Sequence, residues 1–514
     1  MARSRLMRGF MTVGGWTAGS RILGFVRDAG FAAALGAGPV AEAFYTAFSL
    51  PNLFRRFFAE GAFNTAFVPL FSKKVEDGTD AQSFARDALT GLALILLVLT
   101  ILAQIFMPFL VLMLASGFAG DERLALATLY GRIAFPYVFF ISLSALLSGV
   151  LNSIGRFGAA AAAPVLLNII FVVAIGLSWI AGLDIGLTLA WAVPLGGIAQ
   201  LALVWVAAAR AGYRLLPRRP RMTPELKRLA IIAAPAALAM GVVQINLIVG
   251  RQVASHFDGA IAWLFMADRL YQLPLGVVGI AIGIVLLPDL SKRLRAEDLE
   301  GSKTSLSRAG EFAMLLTIPS AVALVIIPME LVGVLFERGK YTADDTAKTA
   351  LAVAVYGLGL PAFVMQKVLQ PIYFARENTR TPFYFALFSM VVNAALAIGL
   401  SPSIGFIAAA FGTTFSSWAM TLALWIGASR IGPHTRFDKR FWRKLWGIIA
   451  AALIMGAELF GMSIVLGPMF GAGFLKIVAL VLLITSGVVT YFLAGHVLGA
   501  VRLGELKSMV KRGS

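Results

Sequence analysis

The stretch Pro69-Leu70-Phe71-Ser72-Lys73-Lys74 occurs twice in this chain in similar form. It returns 219 residues later as Pro288-Asp289-Leu290-Ser291-Lys292-Arg293. Upstream of it, Ala41-x-Ala43-Phe44 returns at the same offset as Ala260-x-Ala262-Trp263. Later landmarks recur at offsets of 220 to 225, namely Pro136 with Pro361, Asn168 with Asn393, and Trp205…Arg210 with Trp425…Arg430. Landmarks in one register indicate an internal duplication, which predicts a fold of two similar halves.

The composition is that of an integral membrane protein. Hydrophobic residues make up 59% of the chain, charged residues only 14%, and the mean hydropathy is +0.85. A soluble domain averages about 25% charged residues. Apolar runs of about 20 residues, the length that spans a bilayer, predict an all-α membrane protein of about 14 helices. Their approximate ranges are 10–35, 39–70, 84–114, 124–152, 158–181, 186–210, 226–255, 260–289, 306–335, 345–374, 382–401, 404–429, 443–467 and 473–499.

Six of these spans repeat as six in the same orientation, and the last two have no counterpart. Parallel halves related by an axis along the membrane normal are a transporter architecture, with the substrate site at the interface of the halves. We therefore predict an N-terminal six-helix lobe at 1–213, a cytoplasmic linker at 214–223, a C-terminal six-helix lobe at 224–431, an extra helix pair at 432–501 and a basic cytoplasmic tail at 502–514.

The net charge of +18 is explained by membrane topology. Most of the 44 lysine and arginine residues fall in segments on the side of the N-terminus. The opposite side carries Arg123, Arg338, Lys340, Lys348 and Lys476. By the positive-inside rule both termini are predicted to lie in the cytoplasm. Nucleic acid is therefore not predicted as a partner, and because the basic start of the chain runs directly into a long span, we expect no cleaved signal peptide.

A further set of basic residues lies within or beside the spans. It consists of Arg21, Arg27, Arg55, Arg56, Arg132, Arg251, Arg269 and Lys367. Two of them fall in Ser20-Arg21-Ile22-Leu23-Gly24-Phe25-Val26-Arg27-Asp28 of the first span. An arginine at the bilayer centre costs roughly 2.5 to 3.5 kcal/mol on insertion scales, so a span retains one that faces a wet cavity or a partner. Arg21 and Asp28 share a helix face, which leaves an intrahelical pair as an alternative.

The second span carries a polar stripe. The stripe consists of Glu42, Thr46, Ser49, Asn52, Arg56 and Glu60, at helical steps of three and four. Pro51 is expected to kink this helix, and Gly61 to break it. In the repeat partner, Asp268-Arg269 occupies the positions of Ser49-Leu50. Charges from the first, second and eighth spans are therefore expected to converge in a polar chamber.

These arginines predict an anionic substrate. A guanidinium matches the geometry of phosphate with two parallel hydrogen bonds. At least four candidate arginines on three spans indicate a large head group that bears phosphate, and the apolar exterior and the extra helix pair suit a lipid tail. The residues by themselves predict an exporter or flippase of an anionic amphiphile.

Several motifs closely resemble those of the MurJ/MviN lipid II flippases of the MOP exporter superfamily. They are Ser20-Arg21-x-Leu23-Gly24-x-x-Arg27-Asp28, Leu50-Pro51-Asn52-Leu53-x-Arg55-Arg56-x-Phe58-Ala59-Glu60-Gly61-Ala62-Phe63, Ala267-Asp268-Arg269-Leu270 and Leu286-Leu287-Pro288-x-Leu290-Ser291. The resemblance covers essentially the whole chain. It implies that lipid II, the undecaprenyl-pyrophosphate-linked peptidoglycan precursor, is moved from the inner to the outer leaflet of the bacterial cytoplasmic membrane by alternating access. Membrane lipids are implied partners, and cell-wall synthesis proteins are left open as partners.

The resemblance also implies a substrate-binding set. Arg21, Arg27, Arg55 and Arg269 match the cavity arginines that the family requires, and the last two spans would frame a groove for the prenyl chain. The remaining predicted members are Ser20, Asp28, Glu42, Asn52, Arg56 and Glu60. Some members of the family are thought to bind sodium through an acid one turn after the Asn393 position. That position is Ala397 here, and neither a metal nor a cofactor is predicted.

Other classes of function make different demands. A membrane glycosyltransferase or phosphotransferase needs a carboxylate cluster or metal ligands, whereas His256, His434 and His496 are scattered, so an enzyme is not predicted. A scaffold needs no buried arginines. Two alternatives stay open: an exporter of another polyprenyl-linked saccharide, and a drug exporter driven by cation antiport. The energy source, whether membrane potential or an ion, is also left open.

Overall fold

The computed structural model describes the backbone of residues 2–56, 62–471 and 473–500, and within these ranges the side chains except those of 2–11, 62–65, 234–247 and 277–285. The regular structure in these ranges is helical. The α-helices are α1 (Ala2–Leu35), α2 (Pro39–Arg55), α3 (Ala62–Glu76), α4 (Ala81–Ile105), α5 (Met107–Leu114), α6 (Glu122–Ala134), α7 (Tyr137–Ser153), α8 (Gly158–Ala181), α9 (Ile185–Arg210), α10 (Pro224–Ala254), α11 (Ala260–Arg295), α12 (Leu299–Ile326), α13 (Pro328–Phe336), α14 (Ala343–Phe374), α15 (Arg380–Ile404), α16 (Ile407–Ile431), α17 (Lys439–Val465), α18 (Gly467–Phe470) and α19 (Leu475–Val497).

Ten helices are long and apolar enough to cross a membrane within the described ranges. They are α4, α6 continued by α7, α8, α9, α12, α14, α15, α16, α17 and α19. The other four predicted spans correspond to α1, to α2 with α3, to α10 and to α11. Three of these, α1, α2 and α11, carry the charged candidate residues, and parts of α1, α3, α10 and α11 fall among the residues whose side chains are not described. The all-α membrane fold is confirmed, and the count of 14 stays a prediction.

The chain divides into two compact units, of which unit 1 comprises Met1–Ala262 and Arg338–Tyr341. In unit 1, α1 packs along α8, both α7 and α8 pack on α9, and α2 packs on α6. Helix α10 packs on α3, α4 and α5. Contacts therefore group α10 with the first half of the chain, whereas the repeat predicts that it opens the second lobe. The lobe boundaries derived from the repeat stay a prediction.

Unit 2 comprises Trp263–Glu337 and Thr342–Ser514. In it, α14 and α15 both pack on α16, and α12 packs on α14 and α17. The order of elements repeats that of unit 1. The long helix α4 is followed by the short α5 with proline in its first turn, then by α6 with α7, α8 and α9. In the same way α12 is followed by the short, proline-initiated α13, then by α14, α15 and α16.

The predicted linker at 214–223 is tied to α4 through Arg218. Its Nε and Nη2 donate to the two carboxylate oxygens of Asp87 at 2.6 and 2.5 Å, and Nη2 also donates to Ser83 Oγ at 2.7 Å. The Arg218 backbone N–H donates to Thr90 Oγ1 at 3.1 Å. Asp87 is only 5% exposed, and its hydrogen bonds raise the pKa of Arg218 above the ordinary value. The linker is therefore an ordered part of unit 1.

Replacement of Arg218 by alanine is expected to lower the melting temperature of the detergent-solubilised protein. The buried Asp87 carboxylate would lose its counter-charge, and an uncompensated buried charge is strongly destabilising. The control is Arg219→Ala, because Arg219 is the exposed neighbour in the same segment. A second change, Asp87→Asn, should restore part of the loss. Equal melting of the two alanine variants would contradict the role of the pair.

Candidate functional site

Arg27 lies in a hydrogen-bonded cluster between α1 and α8. Its Nε and Nη2 both donate to Asp28 Oδ1, at 2.9 and 2.7 Å. Its Nη1 donates to Asn168 Oδ1 of α8 at 2.8 Å. The Arg27 side chain is 12% exposed and that of Asp28 is 6% exposed. An acid–arginine pair within the first span is therefore present, and it is formed by the two adjacent residues.

Asn168 also connects this cluster to the backbone of α1. Its Nδ2 donates to the carbonyl oxygen of Ser20 at 2.9 Å and lies 3.3 Å from Ser20 Oγ. Gly24 of α1 faces the Asn168 amide, and a Cβ atom there would lie in ordinary contact with Nδ2, at 3.6 Å. Asn168 is 6% exposed. Sequence reasoning identified Asn168 as a landmark of the repeat and missed it as a member of the site.

Two aromatic rings cover the guanidinium of Arg27. Its Cζ lies 5.6 Å from the ring centroid of Phe31 and 5.8 Å from that of Phe171, both within the range of a cation–π interaction. The two rings meet edge to face, with centroids 5.1 Å apart. Arg27 is therefore held by a carboxylate, an amide and two apolar walls.

The other predicted arginines differ in exposure. Arg21 on α1 and Arg56 after α2 are exposed, whereas Arg55 is half-buried. In unit 2, the guanidinium of Arg269 lies over the ring of Phe265, with Cζ 4.4 Å from the centroid. The predicted convergence of these arginines stays a prediction. Glu60 and Gly61 lie outside the described residues.

Two members of the polar stripe of α2 hydrogen-bond to their own helix. Ser49 Oγ donates to the carbonyl oxygen of Tyr45 at 2.6 Å, and Asn52 Nδ2 donates to that of Phe48 at 2.9 Å. Such bonds to the preceding turn are a common way for a helix to absorb polar side chains. Thr46 is fully buried, and its hydroxyl has no hydrogen-bond partner among the described residues.

Glu42, at the head of the stripe, belongs to a buried ion-pair cluster. Its Oε2 accepts a hydrogen bond from Arg123 Nη1 at 2.8 Å, and its Oε1 accepts one from the backbone N–H of Ile261 at 3.2 Å. Arg123 also donates through Nε to Asp121 at 2.6 Å, and its Nη1 lies 3.2 Å from Asp258. Glu42 is 1% and Arg123 5% exposed. The partner of Glu42 is thus an arginine that the sequence placed with the outer-side charges.

The capping residue Asp121 is the local sequence feature that marks Arg123 as a residue held at the start of a helix. It caps the N-terminus of α6, where its Oδ1 accepts a hydrogen bond from the backbone N–H of Arg123 at 3.0 Å. This backbone hydrogen bond, assisted by the Arg123 guanidinium, lowers the pKa of Asp121 below its ordinary value. An acidic N-cap followed two residues later by arginine therefore indicates an arginine fixed at a helix start.

Replacement of Glu42 by glutamine is expected to reduce the free energy of unfolding by about 3 kcal/mol, because it removes one partner of a buried pair. The loss should fall at the low end of the usual range, since Asp121 and Asp258 still contact Arg123. Glu42→Asp keeps the charge and should cost less. Melting in detergent measures both, with Glu122→Gln on the exposed side of α6 as the control. A Glu42→Gln protein that melts like the unchanged protein would show that the pair is dispensable.

Within the described residues, no three histidine, aspartate or glutamate side chains are grouped so that they would hold a metal ion. Asn393 is buried, as is Ala397 one turn later. The charged groups that the structure brings together are therefore organised around arginines.

Comparison with solved structures gives the class first. A multidrug resistance MATE family transporter of the MOP superfamily, in an inward-facing conformation, matches with a TM-score of 0.66 and 15% identity, over 80% of this chain and 94% of that one. This likeness concerns the fold alone. A solved lipid II flippase MurJ in an inward closed conformation matches with a TM-score of 0.79 and 26% identity, over 94% of this chain and 98% of that one.

Comparison with sequences gives the family. The probable lipid II flippase MurJ of Rhizobium meliloti is 43% identical, over 99% of this chain and 97% of its own length. The family described as lipid II flippase MurJ matches residues 31–481. The chain belongs to the lipid II flippase MurJ family.

Proposed function

We propose that this protein moves lipid II from the inner to the outer leaflet of the bacterial cytoplasmic membrane by alternating access. The observation that carries the proposal is the Arg27 cluster. The guanidinium of Arg27, in the first predicted span, is held by Asp28 of the same span and by Asn168 of α8. Membership of the lipid II flippase family supports the identity of the substrate.

Arg27 retains hydrogen-bonding capacity for an anion. A guanidinium has five N–H donors, and Asp28 and Asn168 together accept three of those of Arg27. One N–H remains on each terminal nitrogen, and within the described part of the chain no further acceptor takes either. Two donors on one planar group suit two oxygens of a phosphate. The pyrophosphate of lipid II is such a group.

A pyrophosphate carries more negative charge than one arginine neutralises, so we propose further contacts. Arg21 and Arg55 in unit 1 are proposed to bind the head group, and so is Arg269 in unit 2. Support comes from the motifs in which they stand and from the accessibility of Arg21. The remaining predicted contacts are Ser20, Asn52, Arg56 and Glu60.

The distribution of charge supports the proposed orientation. Lysine and arginine are concentrated in the segments on the side of the N-terminus, which the positive-inside rule assigns to the cytoplasm. Both termini are therefore proposed to be cytoplasmic, in the inner membrane. Lipid II is made on that face, and we propose that cell-wall synthesis proteins work beside the transporter.

The two alternative substrate classes, another polyprenyl-linked saccharide and a drug, differ in how well their charge matches the Arg27 cluster. Another polyprenyl-linked saccharide presents the same pyrophosphate, so the arginines serve it equally and only family membership favours lipid II. Substrates of a drug exporter are usually cationic, and a guanidinium with spare donors disfavours them. Transport of labelled precursors separates the three.

Arg27→Lys is expected to lower lipid II flipping roughly 10- to 100-fold, because lysine keeps the charge and loses the paired donors. Lysine is the better variant here because it keeps a positive charge beside the buried Asp28, which Arg27→Ala would remove. Complementation of a flippase-depleted strain and flipping in proteoliposomes are the measurements. Arg55→Ala and Arg269→Ala should also fail to complement.

The control for this series is Arg156→Ala, which removes an exposed arginine in the segment after α7. It should complement fully, and immunoblots of membranes should show each variant at a normal level. Full complementation by Arg27→Lys, Arg55→Ala and Arg269→Ala together would remove the basis for an arginine-lined substrate site.

The two helices without a repeat counterpart, α17 and α19, form a tight apolar pair. Gly487 lets them approach, since a Cβ atom there would lie 2.7 Å from Leu459. Tyr491 hydroxyl donates to the carbonyl oxygen of Leu315 at 2.7 Å, which ties α19 to α12. One carboxyl oxygen of Glu458 is buried, and no described residue hydrogen-bonds to it.

The outer face of this pair suits a prenyl chain. Phe460 and Ile464 of α17 are 59% and 65% exposed, so this surface is apolar. Transfer of a methylene from an apolar environment to a polar one costs about 0.8 kcal/mol. A long prenyl tail therefore stays in lipid or in an apolar groove while its head group enters a polar chamber. We propose such a groove along α17 and α19.

Photocrosslinkers at Phe460 and Ile464 are expected to label with a prenyl-tagged precursor, because both positions lie on the proposed groove. Ile180 of α8 is the matched control, as it is apolar and 87% exposed. Labelling is read by mass spectrometry after illumination of membranes. Strong labelling at Ile180 with none along α17 or α19 would assign the pair to assembly or partner contact.

A further inference from the structure

Asn168 uses both ends of its amide within the Arg27 cluster. Its Oδ1 accepts from Arg27 Nη1 at 2.8 Å, and its Nδ2 donates to the carbonyl oxygen of Ser20 at 2.9 Å. A guanidinium only donates and a carbonyl only accepts. The orientation of the amide is therefore determined by its two partners. An amide rotated by 180° would place its NH2 group against the guanidinium N–H and its oxygen against the Ser20 carbonyl oxygen.

Asn168 lies where α1 and α8 pack against each other along their length. Gly24 faces Asn168, and further along α1 Gly30 faces Ile175 of α8, where a Cβ atom would lie 2.8 Å from Cδ1. Phe171, between these levels of α8, contacts Phe31 of α1. The contacts advance together along both helices, so α1 and α8 run parallel and in close approach. This holds the Asn168 amide at a defined distance from α1.

Asp28 alone does not orient the guanidinium of Arg27. Adjacent residues of a helix do not face each other, so the Arg27 side chain must turn around the helix to reach Asp28. Both of its hydrogen bonds to Asp28 go to a single carboxylate oxygen. The bond from Nη1 to Asn168 comes from a different helix. Two anchors on two helices define the plane of the guanidinium, whereas one oxygen leaves it free to swing.

We propose that Asn168 is a positioning residue for substrate recognition. It fixes the Arg27 guanidinium so that the two unused N–H groups are presented to the pyrophosphate of the substrate. The inference rests on the proposed function for the identity of the anion and assigns a role to a residue that does not itself bind it.

The neutrality of the amide is part of this role. Arg27 and Asp28 carry opposite charges, so the cluster with asparagine has no net charge. A carboxylate at position 168 would give the cluster a net negative charge, repel the pyrophosphate and place an oxygen against the Ser20 carbonyl. A leucine of similar size would remove both hydrogen bonds and add no charge. The two substitutions therefore separate positioning from charge.

The experiment measures binding of lipid II to the detergent-purified, full-length protein, together with its melting temperature. Asn168→Leu is expected to raise the Kd roughly tenfold, the value of one hydrogen bond to a charged group. Asn168→Asp should raise the Kd further. Asn168→Ala removes the same bonds without added bulk and should match leucine. Asn152→Leu, at an exposed asparagine at the end of α7, is the control and should bind normally.

A purely structural role is separated by a double-mutant test. If Asn168 acts through Arg27, Asn168→Leu should change the Kd less than threefold in an Arg27→Lys background, where no guanidinium is left to orient. A structural residue would lower the melting temperature in every variant and leave the Kd unchanged. Normal binding by Asn168→Leu and Asn168→Ala, or an undiminished effect in the Arg27→Lys background, overturns the proposal.

The unchanged protein tests the proposed function separately. If it fails to bind or flip lipid II, the proposed substrate is wrong, and the same variants are then measured with inorganic pyrophosphate. Binding of pyrophosphate by the unchanged protein and its loss in Asn168→Leu would support the positioning role on its own. No binding of pyrophosphate by the unchanged protein would overturn both.

Discussion

A guanidinium inside an apolar helix must keep its charge compensated, and the arrangement of α1 in unit 1 depends on this requirement. Arg27 is compensated by Asp28 from its own helix and by Asn168 from α8. Asn168 is within reach because α1 packs along α8, where Gly30 of α1 lies against Ile175. The contacts that pack α1 against α8 also hold Arg27 in place, so the helix packing and the candidate site depend on the same residues.

The same requirement is met differently at Glu42. There the acid is almost completely buried, and an arginine, a backbone N–H and two further acids complete the cluster. This cluster contains three acids and one arginine, so its formal charge is negative and disfavours an anion. The polar residues of α2 consequently divide into a buried ionic group at its start and side chains that bond to their own helix further on.

The membrane class and the order of repeated elements were predictable, because composition, periodicity and short motifs express them locally. The partners of Arg27 and Glu42 were not. Asn168 is 141 residues from Arg27, and Arg123 is 81 residues from Glu42. No spacing links such pairs, and only the packing of α1 on α8 and of α2 on α6 brings them together.

The pairing of Arg27 with Asp28 has a consequence for how an anion is recognised. Opposite charges 2.7 Å apart cancel at distances beyond a few ångströms, so this cluster exerts little long-range attraction. Screening by salt acts mainly over about 8 Å or more at physiological ionic strength. If the cluster binds the proposed pyrophosphate, recognition depends on direct contact between its oxygens and the two remaining N–H donors of Arg27. Selectivity would then be set by geometry, and ionic strength would have little influence on it.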